Sequence, residues 1–231
     1  MSSTNRGQKG GGDAEFFPTP TFVVHRLLEK VFKCHATTRL PGGLWLEPSA
    51  GDGSIIRAVN EWTKRAGPRV NWTAIEIREE CRDDLMRIPN VGADTHTMSF
   101  QEWLRKQDAL QPHLRRLYDV AILNPPFSQA LIFVQGCLNR AEWVVCLQRI
   151  NWLFDAKDNR EFFRDRMPDV YAIGRVDFDG RGGDSASYAW FVWPPVQDRK
   201  RSQGGFEILS DTPREQRMIG TIPPPRQSTL F

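Results

Sequence analysis

A short stretch in the middle of the chain, DVAILNPPFSQ (119–129), runs four apolar residues directly into Asn-Pro-Pro-Phe. It predicts a buried strand that ends at Pro125 and Pro126 and exposes the Asn124 amide and the Phe127 ring at its carboxyl end, where α/β sheets bind ligands. The prolines fix φ and carry no N–H, so hydrogen-bond acceptors alone line this spot. The amide oxygen and the Pro125 carbonyl suit the two hydrogens of an amine. The alternative is a turn that only terminates the strand.

A glycine pair follows an earlier apolar run, in LWLEPSAGDGSIIRAV (44–59). Gly51 and Gly53 allow a tight turn and the close approach of a ligand to the main chain. The third glycine of the dinucleotide fingerprint and the Lys-Ser/Thr of a P-loop are both missing, which disfavours pyrophosphate and triphosphate ligands. Glu47 would repel a phosphate and attract an ammonium group. Glu76, at the end of the next predicted strand, suits the two hydroxyls of a ribose. The alternatives are a bare turn without a ligand for the glycine pair and a solvated charge for Glu76.

Alternating strands and helices must position these residues. The predicted strands are GGLWLEP, RVNWTAIEI, YDVAIL, AEWVVCL, YAIGRVDF and SYAWFVW, with VGADTHTMSF as a weak strand. TPTFVVHRLLEKVF predicts a helix before the first strand, with Thr19 as N-cap and Pro20 at the first helical position. Strands separated by helices of about 10 to 15 residues indicate βαβ units. The pattern therefore predicts an α/β fold with a mainly parallel sheet and helices on both faces.

Composition narrows the class of protein. The 231 residues are 40% hydrophobic, enough for one core and one domain. The 31 basic and 28 acidic residues give a net charge of +3, which permits an anionic partner without requiring one. Four cysteines without a CxxC pair are predicted to be reduced thiols. No apolar run approaches the roughly 20 residues that span a bilayer, and MSSTNRGQKGGGDAE lacks a signal-peptide segment, so we expect a soluble, cytoplasmic protein.

The chain is expected to divide into three parts. Residues 1–14 are Gly, Ser and polar residues, and are predicted to form a disordered arm. Residues 15–196 are predicted to form the folded domain. Residues 197–231 contain QDRKRSQGG and TIPPPRQSTLF, and are predicted to be a basic and Pro-rich C-terminal segment.

Three motifs, in their order along the chain, resemble those of a known enzyme family. EPSAGDGS (47–54) resembles the first motif of class I S-adenosylmethionine-dependent methyltransferases, D/E-P-x-x-G-x-G. FFPTP (16–20) resembles the upstream motif of amino-methylating DNA enzymes, and NPPF (124–127) resembles their catalytic tetrapeptide. This order matches the N-6-adenine type, and SYAWFVW with REFFRDRMPDVYAIGR resembles its short phage and prophage members. The resemblance covers residues 16 to about 194 and implies a Rossmann-like, mainly parallel sheet of seven strands with helices on both faces.

The resemblance implies S-adenosylmethionine as the cofactor. Phe17 and Thr19 would contact its methionine moiety, and Glu47 its ammonium. Family members commonly carry Asp-Phe-Leu-x-Trp after the third strand, where the Asp holds the cofactor's adenine amine; this chain has Ser99 at that position, so either Ser99 or Asp94 would make the contact. The predicted cofactor-binding residues are Phe17, Thr19, Glu47, Pro48, Ala50, Gly51, Gly53, Glu76, Ile77, Ser99, Phe100 and Asn124.

The tetrapeptide can activate a weak nucleophile. The exocyclic amine of adenine is unreactive because its lone pair is delocalised into the ring. If the Asn124 oxygen and the Pro125 carbonyl each accept one N–H, the nitrogen is pulled toward a tetrahedral shape, and the acceptors stabilise the positive charge that grows on it. Phe127 would stack on a base that is flipped out of the duplex. The predicted catalytic residues are Asn124, Pro125, Pro126 and Phe127, and no metal is expected.

Three amines fit such a site: adenine in DNA, adenine in RNA and the side-chain amide of a protein glutamine. FFPTP and the late segment favour DNA, which predicts an adenine-specific DNA methyltransferase. A separate recognition domain does not fit in the chain, so we expect a short or relaxed recognition sequence, or a partner that supplies specificity. Arg149, Arg175 and Arg181 are predicted phosphate contacts. A degenerate methyltransferase fold that binds nucleic acid or protein without turnover is the non-enzymatic alternative, which the Ser99 departure supports.

Overall fold

The computed structural model describes residues 18–33, 41–178, 186–195 and 204–209. Within these ranges, one sheet contains all of the strands. The strands are β1 (Gly43–Glu47), β2 (Val70–Glu76), β3 (Thr95–Thr97), β4 (Tyr118–Leu123), β5 (Ala141–Arg149), β6 (Asp169–Arg175), β7 (Ser187–Trp193) and β8 (Phe206–Ile208). The α-helices of the same ranges are α1 (Thr21–Leu28), α2 (Ser54–Ala66), α3 (Arg82–Met86), α4 (Phe100–Asp108), α5 (Ala130–Leu138) and α6 (Lys157–Asp165). None of these helices is both long and apolar enough to cross a membrane.

The strand order is β3-β2-β1-β4-β5-β7-β6-β8. Strands β1 to β5 pair with one another in parallel, whereas β7 runs antiparallel to both β5 and β6. The chain therefore moves outward from β1 to β3 and then returns to place β4 on the other side of β1. Such a reversal opens a crevice at the carboxyl edge of a sheet, between the two strands where the order changes. The glycine pair after β1 and the tetrapeptide after β4 both lie at this crevice.

Helices cover both faces of the sheet, and each face has its own core. On one face, α1, α2 and α3 pack over a cluster that includes Trp45, Trp72 and Trp190. On the other face, α4, α5 and α6 pack over a cluster that includes Leu46 and Phe191. Central strands buried on both faces explain the continuous apolar runs of the sequence, in place of an alternating pattern. The predicted α/β architecture is confirmed.

Two details of the prediction were wrong. The sheet has eight strands within the described residues and not seven, because β8 pairs in parallel with β6 at the sheet's edge. This strand is only three residues long and its Phe206 and Ile208 side chains are exposed, so no buried apolar run marks it in the sequence. Thr19 does not cap α1 either: the N-cap position is Pro20, without a side-chain cap. The Thr19 hydroxyl has a different partner, at the crevice.

Candidate active site

The turn after β1 depends on its two glycines. Gly51 and Gly53 have φ values of 57° and 82°, in the left-handed region that disfavours side chains. A Cβ on Gly53 would also lie 2.3 Å from the Ile88 Cδ1 atom, so packing excludes it as well. The predicted Pro48 and Ala50 are buried beside this turn, and the Ala50 N–H donates to the Ile75 carbonyl at 2.9 Å. These contacts fix the turn, which joins β1 to α2, against the end of β2.

Glu76 at the end of β2 bonds directly to the turn. Its Oε2 accepts from the Gly51 N–H at 2.7 Å, and its Oε1 accepts from the backbone and the Nε of Arg78 at 3.0 and 2.7 Å. A carboxylate has about four lone-pair sites, so most of this acceptor capacity is already used. A hydroxyl that binds to Oε1 would compete with Arg78. The next residue, Ile77, is 59% exposed and offers apolar surface at the same edge.

Glu47 carries a buried and strongly perturbed carboxyl group at this edge. Its side chain is 1% exposed, and burial, together with the charges of Asp52 and Glu76, raises its pKa well above the ordinary value. The Glu47 Oε2 and the nearby Ser49 hydroxyl are buried and have no hydrogen-bond partner among the described residues. Buried polar atoms without partners are rare in folded proteins and require an explanation. A cationic donor would satisfy Glu47 and lower its pKa.

Thr19 joins the glycine turn to the tetrapeptide. Its N–H donates to the hydroxyl of Ser54, the first residue of α2, at 3.0 Å. Its own hydroxyl accepts from the Asn124 side-chain nitrogen at 3.1 Å, across 105 residues of sequence. Thr19 reaches this position because α1 packs against α2, and because the Val23 carbonyl of α1 accepts from the indole of Trp190. Ser54, directly after the glycine turn, and the Asn124 amide are therefore both hydrogen-bonded to one buried residue.

The Phe127 ring lies in a cluster at the end of β5 and the start of β7. The Arg149 guanidinium carbon lies 4.5 Å from the centroid of this half-buried ring, and the Tyr188 ring lies 6.0 Å away. Arg149 also donates from Nε to the Tyr188 hydroxyl at 3.4 Å. The sequence predicted a phosphate contact for Arg149, whereas in the structure its guanidinium covers the Phe127 ring. Arg175, the exposed last residue of β6, lies at the same edge of the sheet.

The residues after β3 take different places from those predicted. The Ser99 hydroxyl caps α4, because it accepts from the Glu102 N–H at 3.2 Å. The Phe100 ring is 2% exposed and stacks on Trp103 and Phe133 in the core. The predicted cofactor contact of Phe100 would therefore come from its main chain and not from its ring.

The alternative acid, Asp94, lies on the wrong side of the sheet for a cofactor contact. It precedes β3 and pairs with Arg116, a residue that precedes β4. It thus lies at the amino edge, opposite the glycine turn, which leaves Ser99 as the polar side chain at the carboxyl edge. Two other predicted site residues, Phe17 and Arg181, lie outside the described residues.

Sequence reasoning missed two polar residues of this edge. Ser49 lies inside the glycine motif, so its position was a usable signal. Gln148, the second-last residue of β5, donates from Nε2 to the Pro125 carbonyl at 3.2 Å. Its position in a buried strand gave no sign of a role at the tetrapeptide. In the described part of the chain, no group of three or more His, Cys, Asp or Glu residues could hold a metal ion.

Comparisons with known proteins agree with this fold. No protein-family profile and no curated protein matches the sequence, but solved structures match the fold. A type I restriction-modification system methyltransferase subunit from Streptococcus thermophilus has a TM-score of 0.55 and 13% identity, over 82% of this chain and 47% of its own. A candidate class I S-adenosylmethionine-dependent methyltransferase from Listeria monocytogenes has a TM-score of 0.53 and 15% identity, over 88% of this chain and 69% of its own. A candidate RNA methyltransferase from Pyrococcus horikoshii has a TM-score of 0.56 and 14% identity, over 84% of this chain and 94% of its own.

These comparisons define the class of fold. At identities of 13 to 15%, the likeness shows the fold alone. The chain has the Rossmann-like fold of class I methyltransferases, as its motifs predicted. It spans about half the length of the restriction-modification subunits that it matches, with 47% and 50% of those chains covered.

Proposed function

We propose that this protein transfers a methyl group from S-adenosylmethionine to the exocyclic N-6 amine of adenine in DNA. The observation that carries the proposal is the pair of hydrogen bonds made by Thr19, to Ser54 beside the glycine turn and to Asn124 of the tetrapeptide. A cofactor held at the turn and an amine held at Asn124 would then be neighbours. This is the arrangement that methyl transfer from a sulfonium to an amine requires.

The residues of the glycine turn suit S-adenosylmethionine, which supplies an activated methyl group when bound. Glu47 Oε2, a buried acceptor without a partner, would bind the ammonium of its methionine moiety. The Ser49 hydroxyl would bind a second polar group nearby. Glu76 would accept from the ribose in competition with Arg78, and the exposed Ile77 would cover the adenine ring. The positive φ values at the glycines leave the main chain open to close approach.

The tetrapeptide would hold and orient the target amine. Because the Asn124 nitrogen donates to Thr19, the amide oxygen serves as one acceptor for the amine, and the Pro125 carbonyl serves as the other. Two fixed acceptors stabilise the charge that grows on the nitrogen during attack, without the reorganisation that water would need. Phe127 would stack on the flipped base, a contact of about 1–3 kcal/mol. No side chain has to remove a proton beforehand, since the methylated amine can lose it to solvent later.

DNA is the proposed substrate, and adenine in RNA is the second candidate. FFPTP and the late segment of the chain resemble DNA enzymes, whereas the Pyrococcus horikoshii neighbour is a candidate RNA methyltransferase. The amine has the same chemistry in both nucleic acids. We also propose that the recognition sequence is short or relaxed, or that a partner supplies it. The Streptococcus thermophilus neighbour is itself a subunit of a restriction-modification system.

The test offers labelled S-adenosylmethionine to the protein with unmodified DNA, RNA and a protein extract in parallel. Mass spectrometry of the nucleosides and peptides then identifies the product. We expect N-6-methyladenine from DNA. The same nucleoside from RNA alone, or methylated glutamine from the extract, would replace the proposed substrate. Cofactor binding without any product would leave a binding module in place of an enzyme.

A further inference from the structure

The tetrapeptide is poor in hydrogen-bond donors, so its geometry depends on its acceptors. Pro125 and Pro126 carry no N–H, and neither of their peptide bonds can be anchored by a donor of its own. The Pro126 carbonyl accepts from the Gln129 N–H at 2.9 Å. The Pro125 carbonyl accepts from the Gln148 side chain at 3.2 Å. The oxygen proposed to bind the target amine is thus held by a side chain of the neighbouring strand.

Gln148 is an unusual residue for its position. It is 1% exposed and lies in β5, between β4 and β7, directly opposite Ala189. The five residues that precede it in this strand are apolar and buried. A buried amide costs free energy unless it is hydrogen-bonded, and an apolar side chain of similar size would fill the same space without that cost. The hydrogen bond to Pro125 is what an apolar residue could not provide.

From this contact we infer that Gln148 is a positioning residue for methyl transfer, an inference that rests on the proposed function. A carbonyl oxygen has two lone pairs. The Gln148 N–H occupies one and fixes the direction of the other, which then accepts one hydrogen of the target amine. Gln148 does not touch the substrate; it keeps the Pro125 oxygen in place while the amine nitrogen attacks.

The first test replaces Gln148 by leucine, which keeps the volume and removes the donor. We expect the kcat of Gln148→Leu to fall about 10- to 100-fold, since misplacing a reactive group by about 1 Å has effects of that size. The dissociation constant for S-adenosylhomocysteine and the KM for DNA should stay within about twofold, because neither ligand would contact Gln148 directly. Gln101→Leu is the matched control: its amide donates to the Gln129 side chain at 2.7 Å, next to the tetrapeptide, and its loss should leave kcat within about twofold.

A second variant gives a readout that a purely structural role would not produce. In the Gln148→Glu variant, the protonated carboxyl group can donate a hydrogen bond to the Pro125 carbonyl. The ionised carboxylate can only accept, and it would repel that oxygen. Burial raises the pKa of such an acid, so the transition should fall above the ordinary range for glutamate. We therefore expect kcat relative to the unchanged protein to be highest at low pH and to fall as pH rises, while circular dichroism reports an unchanged fold.

The outcomes separate the two proposals. An unchanged kcat in Gln148→Leu, or a Gln148→Glu variant whose relative kcat does not vary with pH, would overturn the role of Gln148 and leave the proposed function standing. If the unchanged protein methylates neither DNA nor RNA, the proposed function fails, and the positioning role fails with it.

Discussion

The two sides of the crevice differ in how their polar groups are hydrogen-bonded. On the β1 side, the Glu47 carboxylate and the Ser49 hydroxyl are buried with atoms that lack partners in the described structure. On the β4 side, Asn124 bonds to Thr19, and the Pro125 carbonyl bonds to Gln148. The buried polar atoms of the β1 side need a ligand to complete their hydrogen bonds, whereas the polar groups of the β4 side are already hydrogen-bonded within the protein. This difference fits a site in which one side binds a charged cofactor and the other must hold a weakly bound amine in one orientation.

The largest effect on turnover should come from a substitution on the β4 side. Replacing Asn124 by alanine removes an acceptor that stabilises charge only during the reaction, and groups of this kind contribute about 100- to 1000-fold to kcat. We expect a loss of that size in steady-state assays, with the cofactor dissociation constant nearly unchanged. Asn139→Ala, at the exposed end of α5, is the control and should keep full activity. Equal losses in kcat and in cofactor binding would place Asn124 on the cofactor side.

A substitution on the β1 side should change the affinity for the cofactor and not the turnover rate. Glu47→Gln removes the charge that would pair with the ammonium, and a hydrogen bond to a charged group contributes about 1.5–3 kcal/mol, so the cofactor affinity should fall about 10- to 140-fold. Isothermal titration calorimetry measures this loss. Glu61→Gln, on the exposed part of α2, should bind normally.

The same substitution should stabilise the protein without its cofactor. Burial raises the pKa of Glu47, so this carboxyl stabilises the fold fully below its unfolded pKa, and that contribution is lost as pH rises through the folded pKa. Glutamine has no such loss. The melting temperature of Glu47→Gln should therefore exceed that of the unchanged protein at neutral and higher pH, and the difference should shrink toward acid pH. A variant that melts lower at neutral pH would contradict a strained Glu47.

Thr19 connects the two sides, so its hydroxyl should affect turnover moderately. Thr19→Val keeps the N–H bond to Ser54 and removes the acceptor for Asn124. A net hydrogen bond contributes about 0.5–1.5 kcal/mol, which corresponds to a loss of about 2- to 10-fold in kcat. Thr19→Ser keeps the hydroxyl and should keep most of the activity. An unchanged kcat in Thr19→Val would contradict the role of the hydroxyl, and a loss in Thr19→Ser as large as that in Thr19→Val would show that the methyl group of Thr19 matters as well.

The smallest effect is expected at Arg149. Its guanidinium covers the Phe127 ring that would stack on the base, and a cation–π contact contributes about 0.5–1 kcal/mol to holding that ring in place, so Arg149→Ala should weaken DNA binding at most about 2- to 5-fold. Binding titrations at several salt concentrations should give parallel lines for the variant and the unchanged protein. A salt slope that falls by about one unit would instead support the phosphate contact that the sequence predicted. Arg87→Ala is the control, because Arg87 is exposed and pairs with the nearby Asp84.

Local patterns in the sequence determined the elements and the two motifs. Apolar runs that end at Pro48 and Asn124 marked β1 and β4, and the glycine pair marked the turn, because strand burial and tight turns depend on neighbouring residues. The three-residue β8 escaped prediction because its exposed side chains leave no such pattern.

Only the tertiary structure decided how the polar atoms are paired. Thr19 and Asn124 are 105 residues apart, and Gln148 lies on β5 whereas Pro125 lies in the loop after β4. Their bonds follow from the order of the strands and from the way α1 packs over the sheet, which no local pattern records. The same holds for the buried atoms of Glu47 and Ser49, since whether an atom lacks a partner depends on everything that surrounds it in three dimensions.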